Sequence, residues 1–268
     1  MIKINDIGDL RISFFKNLRF TPSSHYREKL FVTEGERVTL KLLNSDFEIV
    51  TLFAVQEFFR KYDNIISTKY LPSDNLLYAE KSIMNLIVGY KHHSGIMALA
   101  KQPLTPMLDE LSSPIIVLNG IINSENVGSI IRNCAAFGVD SIIVDKHTSS
   151  PFLRRAVRVS MGAVMDIKVY YSENIIDDLT KLRKSGFKII SAEISSNSVP
   201  INSFSFPEKF TIIFGQEDKG VDNEILEISD KVIHIPITGK VNSINVSASS
   251  AVILSKLLEQ RHQILKFT

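Results

Sequence analysis

Residues 114–145, "PIIVLNGIINSENVGSIIRNCAAFGVDSIIVD", decide how this chain folds. They open on "PIIVLNG", an unbroken apolar run of the kind required of a strand buried on both faces. A polar stretch of Asn, Ser and Glu follows. Val127, Ile130, Ile131, Cys134 and Ala135 then recur at helical spacing, which predicts a helix over residues 127–137. Gly138 stands where a left-handed C-terminal cap belongs. "SIIVD" resumes as an apolar strand. Strand, helix and strand in this order imply parallel pairing, because the crossover helix returns the chain to the same end of the sheet. Two polar residues are conspicuous in the unit. Asn126 sits just ahead of the predicted helix, at a cap position, and Arg132 interrupts a helix otherwise built for burial.

Working outward, the alternation continues. "AVMDIKVYY", "FKIISAE", "FTIIFG" and "KVIHIPI" are further strand candidates, and helical stretches such as "ENIIDDLTKLRKSG" separate them. An apolar-rich helix from about Val246 to Gln260 ends the pattern. The fold class expected is α/β, with a mostly parallel sheet and helices on both faces. Upstream, residues 100–114 hold three prolines and no sustained period, so they read as a connection. Before them, "KLFVTEG", "FEIVTLFAV" and "GIMALA" read as strands, with "ERVTLKLLNS" and "QEFFRKY" as helices. The expected organisation is a small α/β/α domain over residues 1–100, a linker over 101–113 and the larger α/β domain over 114–268.

The chain has 268 residues, 44% of them hydrophobic, enough for one or two domain cores. The one cysteine, Cys134, excludes an internal disulfide and a cysteine-cluster metal site, and no metal is expected. A net charge of +2 is too small to imply a nucleic-acid partner by itself. The first residues carry no signal pattern, and no apolar run approaches a membrane span. A cytoplasmic protein with no membrane partner is expected.

Three loops lie where α/β folds place ligands, beyond the carboxyl ends of strands. They are "NGIINSENVG", "GQEDKGVDNE" and "PITGKVNSINVS". One such loop is ordinary turn chemistry, but three in one half of a chain suggest a shared crevice. The glycine-rich dinucleotide fingerprint, the P-loop, the zinc-protease helix and the nucleophile elbow are all missing.

"NVGSIIRNCAAFG", "IIFGQEDKGV" and "IPITGKVNSINVSAS" resemble the three motifs of the SpoU (TrmH) family of RNA ribose 2′-O-methyltransferases, in that family's order, over about residues 113–262. Cys134, Ile237 and Ile244 replace residues more common in the family, and none of these changes removes a polar group. "FVTEGER" and "GIMALA" more loosely resemble the ribosomal-protein-like substrate domain that precedes the catalytic domain in several members. The resemblance implies a trefoil knot (the SPOUT class), S-adenosylmethionine as cofactor, a homodimer with active sites near its interface, and an RNA substrate rather than DNA. Ribosomal RNA is expected before transfer RNA. A non-catalytic RNA-binding assembly factor and a small-molecule nucleotide enzyme are the rival readings.

The resemblance also assigns residues. Arg132 is implied as the catalytic arginine, either gripping the phosphate beside the target ribose or handling the hydroxyl proton. A guanidinium is a ready bidentate donor and a poor base. Asn126 and Glu217 are implied as its active-site companions, and Ser243 and Asn245 as positioning residues that also resemble caps of the last helix. Gly215, Ile235, Gly239 and Ile244 match cofactor-lining positions, with glycine allowing close backbone approach. Two basic stretches are candidate RNA contacts: Arg154, Arg155 and Arg158 in "SPFLRRAVRVS", and Arg27 and Lys29, with Arg19, ahead of the first strand. Cys134 reads as a core residue.

Overall fold

The computed structural model describes residues 1–16, 28–88 and 95–265. It divides into two compact units, Met1–Leu104 with Phe152–Met165, and Thr105–Pro151 with Asp166–Thr268. In the first unit the elements are β1 (Ile2–Lys3), β2 (Leu30–Glu34), α1 (Glu36–Leu43), β3 (Ile49–Ala54), α2 (Gln56–Lys61), α3 (Asp63–Ile66), β4 (Leu76–Tyr78), α4 (Lys81–Val88) and β5 (Ile96–Lys101). The sheet runs β1-β4-β3-β5-β2. The first three of these are mutually parallel, and β5 is antiparallel to both β3 and β2. The predicted strands and helices of this half are present. β1 and β4 were not legible, because two or three residues are too few for alternation to show. Ile4, Phe15, Val32, Phe53, Leu77 and Met97 share one core.

The division expected at residues 101–113 differs from the observed one at one segment. Phe152–Met165 groups with residues 1–104, not with the rest of 114–268. The reason is apolar. Phe152 stacks near Phe31, with ring centroids 5.2 Å apart, and Phe152, Ala156, Val157 and Val164 are all buried. Glu34, on β2, supplies the countercharge for this segment: Arg154 Nη1 lies 2.5 Å from its Oε2, and Arg158 Nη1 lies 3.9 Å from its Oε1. A fragment beginning near Ser112 therefore loses the partners of these side chains. It is expected to expose residues 152–165, which limited proteolysis would detect as cleavage in that segment ahead of the rest.

The second unit contains β6 (Ile115–Leu118), α5 (Ser124–Ala136), β7 (Ser141–Asp145), β8 (Lys168–Ser172), α7 (Ile175–Lys184), β9 (Lys188–Ala192), β10 (Val199–Pro200), β11 (Phe210–Phe214), α8 (Asn223–Ile228), β12 (Lys231–His234) and α9 (Val246–Leu265). The short helix α6 (Arg154–Val159) belongs to the segment described above. The seven strands run β10-β12-β9-β11-β6-β7-β8, and every pair is parallel. The fold class is α/β, as expected. Every residue of β6, β7 and β11 is buried, which accounts for their unbroken apolar runs. Gly138 adopts a φ of 71°, and the Val139 N–H reaches the Cys134 carbonyl at 2.8 Å, so α5 ends as predicted. "AVMDIKVYY" becomes strand only from Lys168, since residues 163–166 form a single 3-10 turn.

The strand order positions the site. From β6 the chain steps outward through β7 and β8, then restarts beyond β11 with β9. The order thus reverses between β6 and β11, and such a switch opens a crevice at the carboxyl ends of the strands. Leu179 and Leu182 of α7 and Ile225 of α8 pack with Ile115, Val117, Ile189 and Ile213 on one sheet face. Helix α9 lies along α5, tied by the Asn133 amide, which donates to Ser247 O at 2.8 Å and Ser250 Oγ at 2.9 Å.

Candidate active site

At the carboxyl ends of β9, β11 and β12 lies a cavity of about 360 Å³, within the range of small-ligand sites. Glu193, Gly215, Glu217, Ile235, Ser243 and Ile244 are among its walls. Two of the three predicted loops thus meet at one cavity. Gly215, Ile235 and Ile244 line it, and Gly239 does not.

The glycines answer to local geometry. A Cβ on Gly215 would overlap the backbone of Gly220 and Val221, because residues 216–220 close as a tight hairpin over it. In that hairpin Gln216 N–H donates to Gly220 O at 3.1 Å, and Gly220 N–H to Gln216 O at 2.8 Å. Gly215 is therefore required by the loop's own fold. Gly239 has open space around its Cβ position and a φ of 79°, so its backbone conformation, not crowding, calls for glycine.

The polar residues of the three loops form one chain of hydrogen bonds. The Asn126 amide donates to Glu217 Oε1. Asn245 Nδ2 donates to Asn126 Oδ1 at 3.2 Å. Asn245 Oδ1 accepts from Ser247 N at 2.8 Å and Ser247 Oγ at 2.5 Å, so Asn245 caps α9 as expected. Asn126 corrects its own expectation. Helix α5 begins at Ser124, and its cap is Asn123, whose Oδ1 accepts from Glu125 N at 2.9 Å. Asn126 lies inside the first turn, 8% exposed, with its amide directed to Glu217 and Asn245. Ser243 is an exposed wall residue two positions before the cap.

Arg132 is exposed, and among the described residues its guanidinium has no hydrogen bond or ion pair. At about 100° per residue, it lies roughly 240° around α5 from Asn126. The single chain therefore does not join Arg132 to the Glu217–Asn126–Asn245 relay. Cys134 is fully buried, and burial pushes its thiol up to about 12, which leaves it unreactive at neutral pH.

The candidate RNA contacts separate. Lys29 and Arg155 are exposed. Arg154 is mostly buried against Glu34, with side-chain exposures of 20% and 4%. Among the three arginines read as candidate RNA contacts, Arg154 is thus engaged within the chain, because a buried carboxylate requires a cation beside it. Arg27 and Arg19 lie outside the described residues. Glu193 is a wall residue that sequence reasoning missed. "FKIISAE" ends as a strand and nothing in its pattern distinguishes the last acid from a solvated one.

The SpoU rRNA Methylase family matches residues 113–255. An uncharacterised tRNA/rRNA methyltransferase of Mycobacterium bovis is 25% identical over 97% of this chain and 92% of its own length. One from Archaeoglobus fulgidus is 30% identical over 55% of this chain and 65% of its own. Among solved structures, an AdoMet-bound rRNA methyltransferase from Sinorhizobium meliloti superposes with a TM-score of 0.84 at 19% identity, covering 97% of each chain. A SpoU methyltransferase from Streptomyces viridochromogenes, in complex with AdoMet, gives 0.81 at 18% identity, covering 95% of this chain and all of that one. At these identities the two structures speak for the fold. The family match spans more than half of the chain, and the three motif loops it contains are those joined here by Glu217, Asn126 and Asn245: the chain belongs to the SpoU rRNA methylase family.

Proposed function

We propose that this protein transfers a methyl group from S-adenosylmethionine to a ribose 2′-hydroxyl of RNA, ribosomal RNA before transfer RNA. The observation that carries the reading is the relay from Glu217 through Asn126 to Asn245, at the rim of a cavity of suitable size. The cavity fits a nucleoside with an amino-acid tail. Ile235, Ile244 and Ile253 offer apolar surface to a base, and the strand-end backbone and acids offer polar partners. The cofactor supplies an electrophilic methyl on a sulfonium. The chain's part is to hold the hydroxyl in line, which proximity rewards strongly. Asn126, fixed on both sides, presents a rigid carboxamide at the loop junction. Arg132 clamps the phosphate beside the target ribose through its planar fork. Because Arg132 lies on a different side of α5 from Asn126, the reading includes a homodimer that assembles the site near the subunit interface. The exposed Ala135 and Ala136 of α5 and Val252 of α9 are apolar surface such an interface would cover. The knotted path implied by the family resemblance belongs to the same proposal, as does an RNA-binding role for the N-terminal unit. No helix of the described residues is long and apolar enough to cross a membrane.

The purified protein is expected to bind S-adenosylmethionine equally well before and after chelator treatment, since the described residues contain no group of three or more His, Cys, Asp or Glu placed to hold a metal ion. Calorimetry checks this. Binding that disappears on chelation and returns with zinc or magnesium overturns it. Ribose-methylation mapping of ribosomal and transfer RNA from a strain lacking the gene tests the substrate.

A further inference from the structure

We propose that Glu193 is a positioning residue that clamps the Glu217 hairpin to the end of β9 and so sets where Glu217 meets Asn126. This rests on the methyltransferase reading for its consequence, but not for its geometry. Glu193 follows the last residue of β9, and its own N–H is fixed by Ile233 O of β12 at 3.0 Å. Its carboxylate then spans two elements. Oε1 accepts from Ile194 N at 2.9 Å, and Oε2 accepts from Val221 N at 3.0 Å. The second bond reaches the residue that directly follows the 216–220 hairpin, the hairpin whose exposed tip carries Glu217.

The surroundings are shaped for this carboxylate. A Cβ on Gly220 would overlap Glu193 Oε2, so a side chain at 220 would displace the carboxylate from this position. Gly220 has a φ of 73°, which glycine also supplies. On the opposite side Gly215 admits the same backbone, so the hairpin is held between a glycine and a carboxylate. Charge-assisted bonds to backbone N–H groups are the stronger kind. The same side chain is a wall of the cavity. One residue therefore joins the cavity to the relay: Glu193 holds Val221, the hairpin holds Glu217, and Glu217 holds Asn126.

Amide exchange and single-turnover methyl transfer, measured on the full-length protein, test the clamp. In Glu193→Ala the Val221 amide should exchange about tenfold faster, the loss expected for one hydrogen bond, while amides in β6 and β11 keep their protection. The methyl-transfer rate at saturating cofactor should also fall about tenfold, with RNA affinity unchanged. Glu193→Gln keeps a neutral acceptor for Val221 and should recover most of both losses; a purely structural defect in β9 would not be rescued this way. Wild-type protection at Val221 in the alanine variant, or a glutamine variant as impaired as alanine, overturns the proposal. If alanine loosens β6 and β11 as well, the glutamine variant decides alone: restored Val221 protection supports the clamp, and its loss overturns it. If the wild-type protein transfers no methyl group, the functional reading fails, and Val221 exchange still decides whether the clamp exists.

Discussion

Arg132→Lys is expected to fold, to bind S-adenosylmethionine as the wild type does, and to lose about two orders of magnitude in methyl-transfer rate, roughly 2.7 kcal/mol of transition-state stabilisation. Arg132 is exposed and makes no hydrogen bond or ion pair with the described residues, so its substitution removes no such contact among them. A surface substitution of this kind ordinarily changes stability by less than about 0.5 kcal/mol. Lysine keeps the charge but not the planar fork, so a bidentate grip on phosphate is lost while a general attraction to RNA survives. Single-turnover transfer of labelled methyl to RNA, at saturating enzyme and cofactor, measures the effect. A lysine variant within a few-fold of wild type would move the chemistry to Asn126, Glu217 and Asn245. The role of the guanidinium is separable by substrate. On RNA whose adjacent phosphate is replaced by an uncharged linkage, a clamp has nothing to grip, and wild type and variant converge. A proton acceptor independent of the phosphate keeps them apart.

Arg154→Ala is expected to cost about 3 kcal/mol of stability, because it removes a cation held 2.5 Å from a buried carboxylate. Glu34 is 4% exposed at its side chain, and a second arginine, Arg158, stands 3.9 Å away and is 42% exposed. Denaturant unfolding followed by a probe in the first unit would report the loss as a lower midpoint. Replacing both partners, as in Glu34→Gln with Arg154→Met, should recover much of it, since no buried charge is then left unpaired. If Arg154 were a solvated RNA contact, alanine would leave the midpoint unchanged and weaken RNA binding with a smaller salt dependence. The two outcomes separate an internal clasp from an RNA-facing arginine.

The loops that form the candidate site are legible in the sequence. The polar residues of the three loops were identifiable because an Asn, a Glu and a Ser-x-Asn at strand ends fall outside the apolar periods around them. Their grouping was not legible from spacing, since Asn126 and Glu217 are 91 residues apart and Asn126 and Asn245 are 119 apart. Only the reversal of strand order between β6 and β11 brings those strand ends together. The role of a given residue type also depended on its surroundings. Asn126 and Asn123 are both plausible caps by identity, and the side-chain bond of Asn123 decided between them. "RRAVRV" reads as a basic face, and the burial of Glu34 beneath it could not be seen in a pattern one strand long.

By itself the sequence determined the α/β class, the parallel strands of the second half, the cap at Gly138 and the family, because apolar period, glycine position and short motifs are local properties that neighbouring residues specify. The tertiary structure decided which residues do what. It assigned Phe152–Met165 to the N-terminal unit, made Gly215 a requirement of its own loop, set Arg132 apart from the relay, and gave Glu193 its partners. Those are contacts between residues far apart in the chain. Their geometry follows from strand order and burial, and no local pattern carries that information.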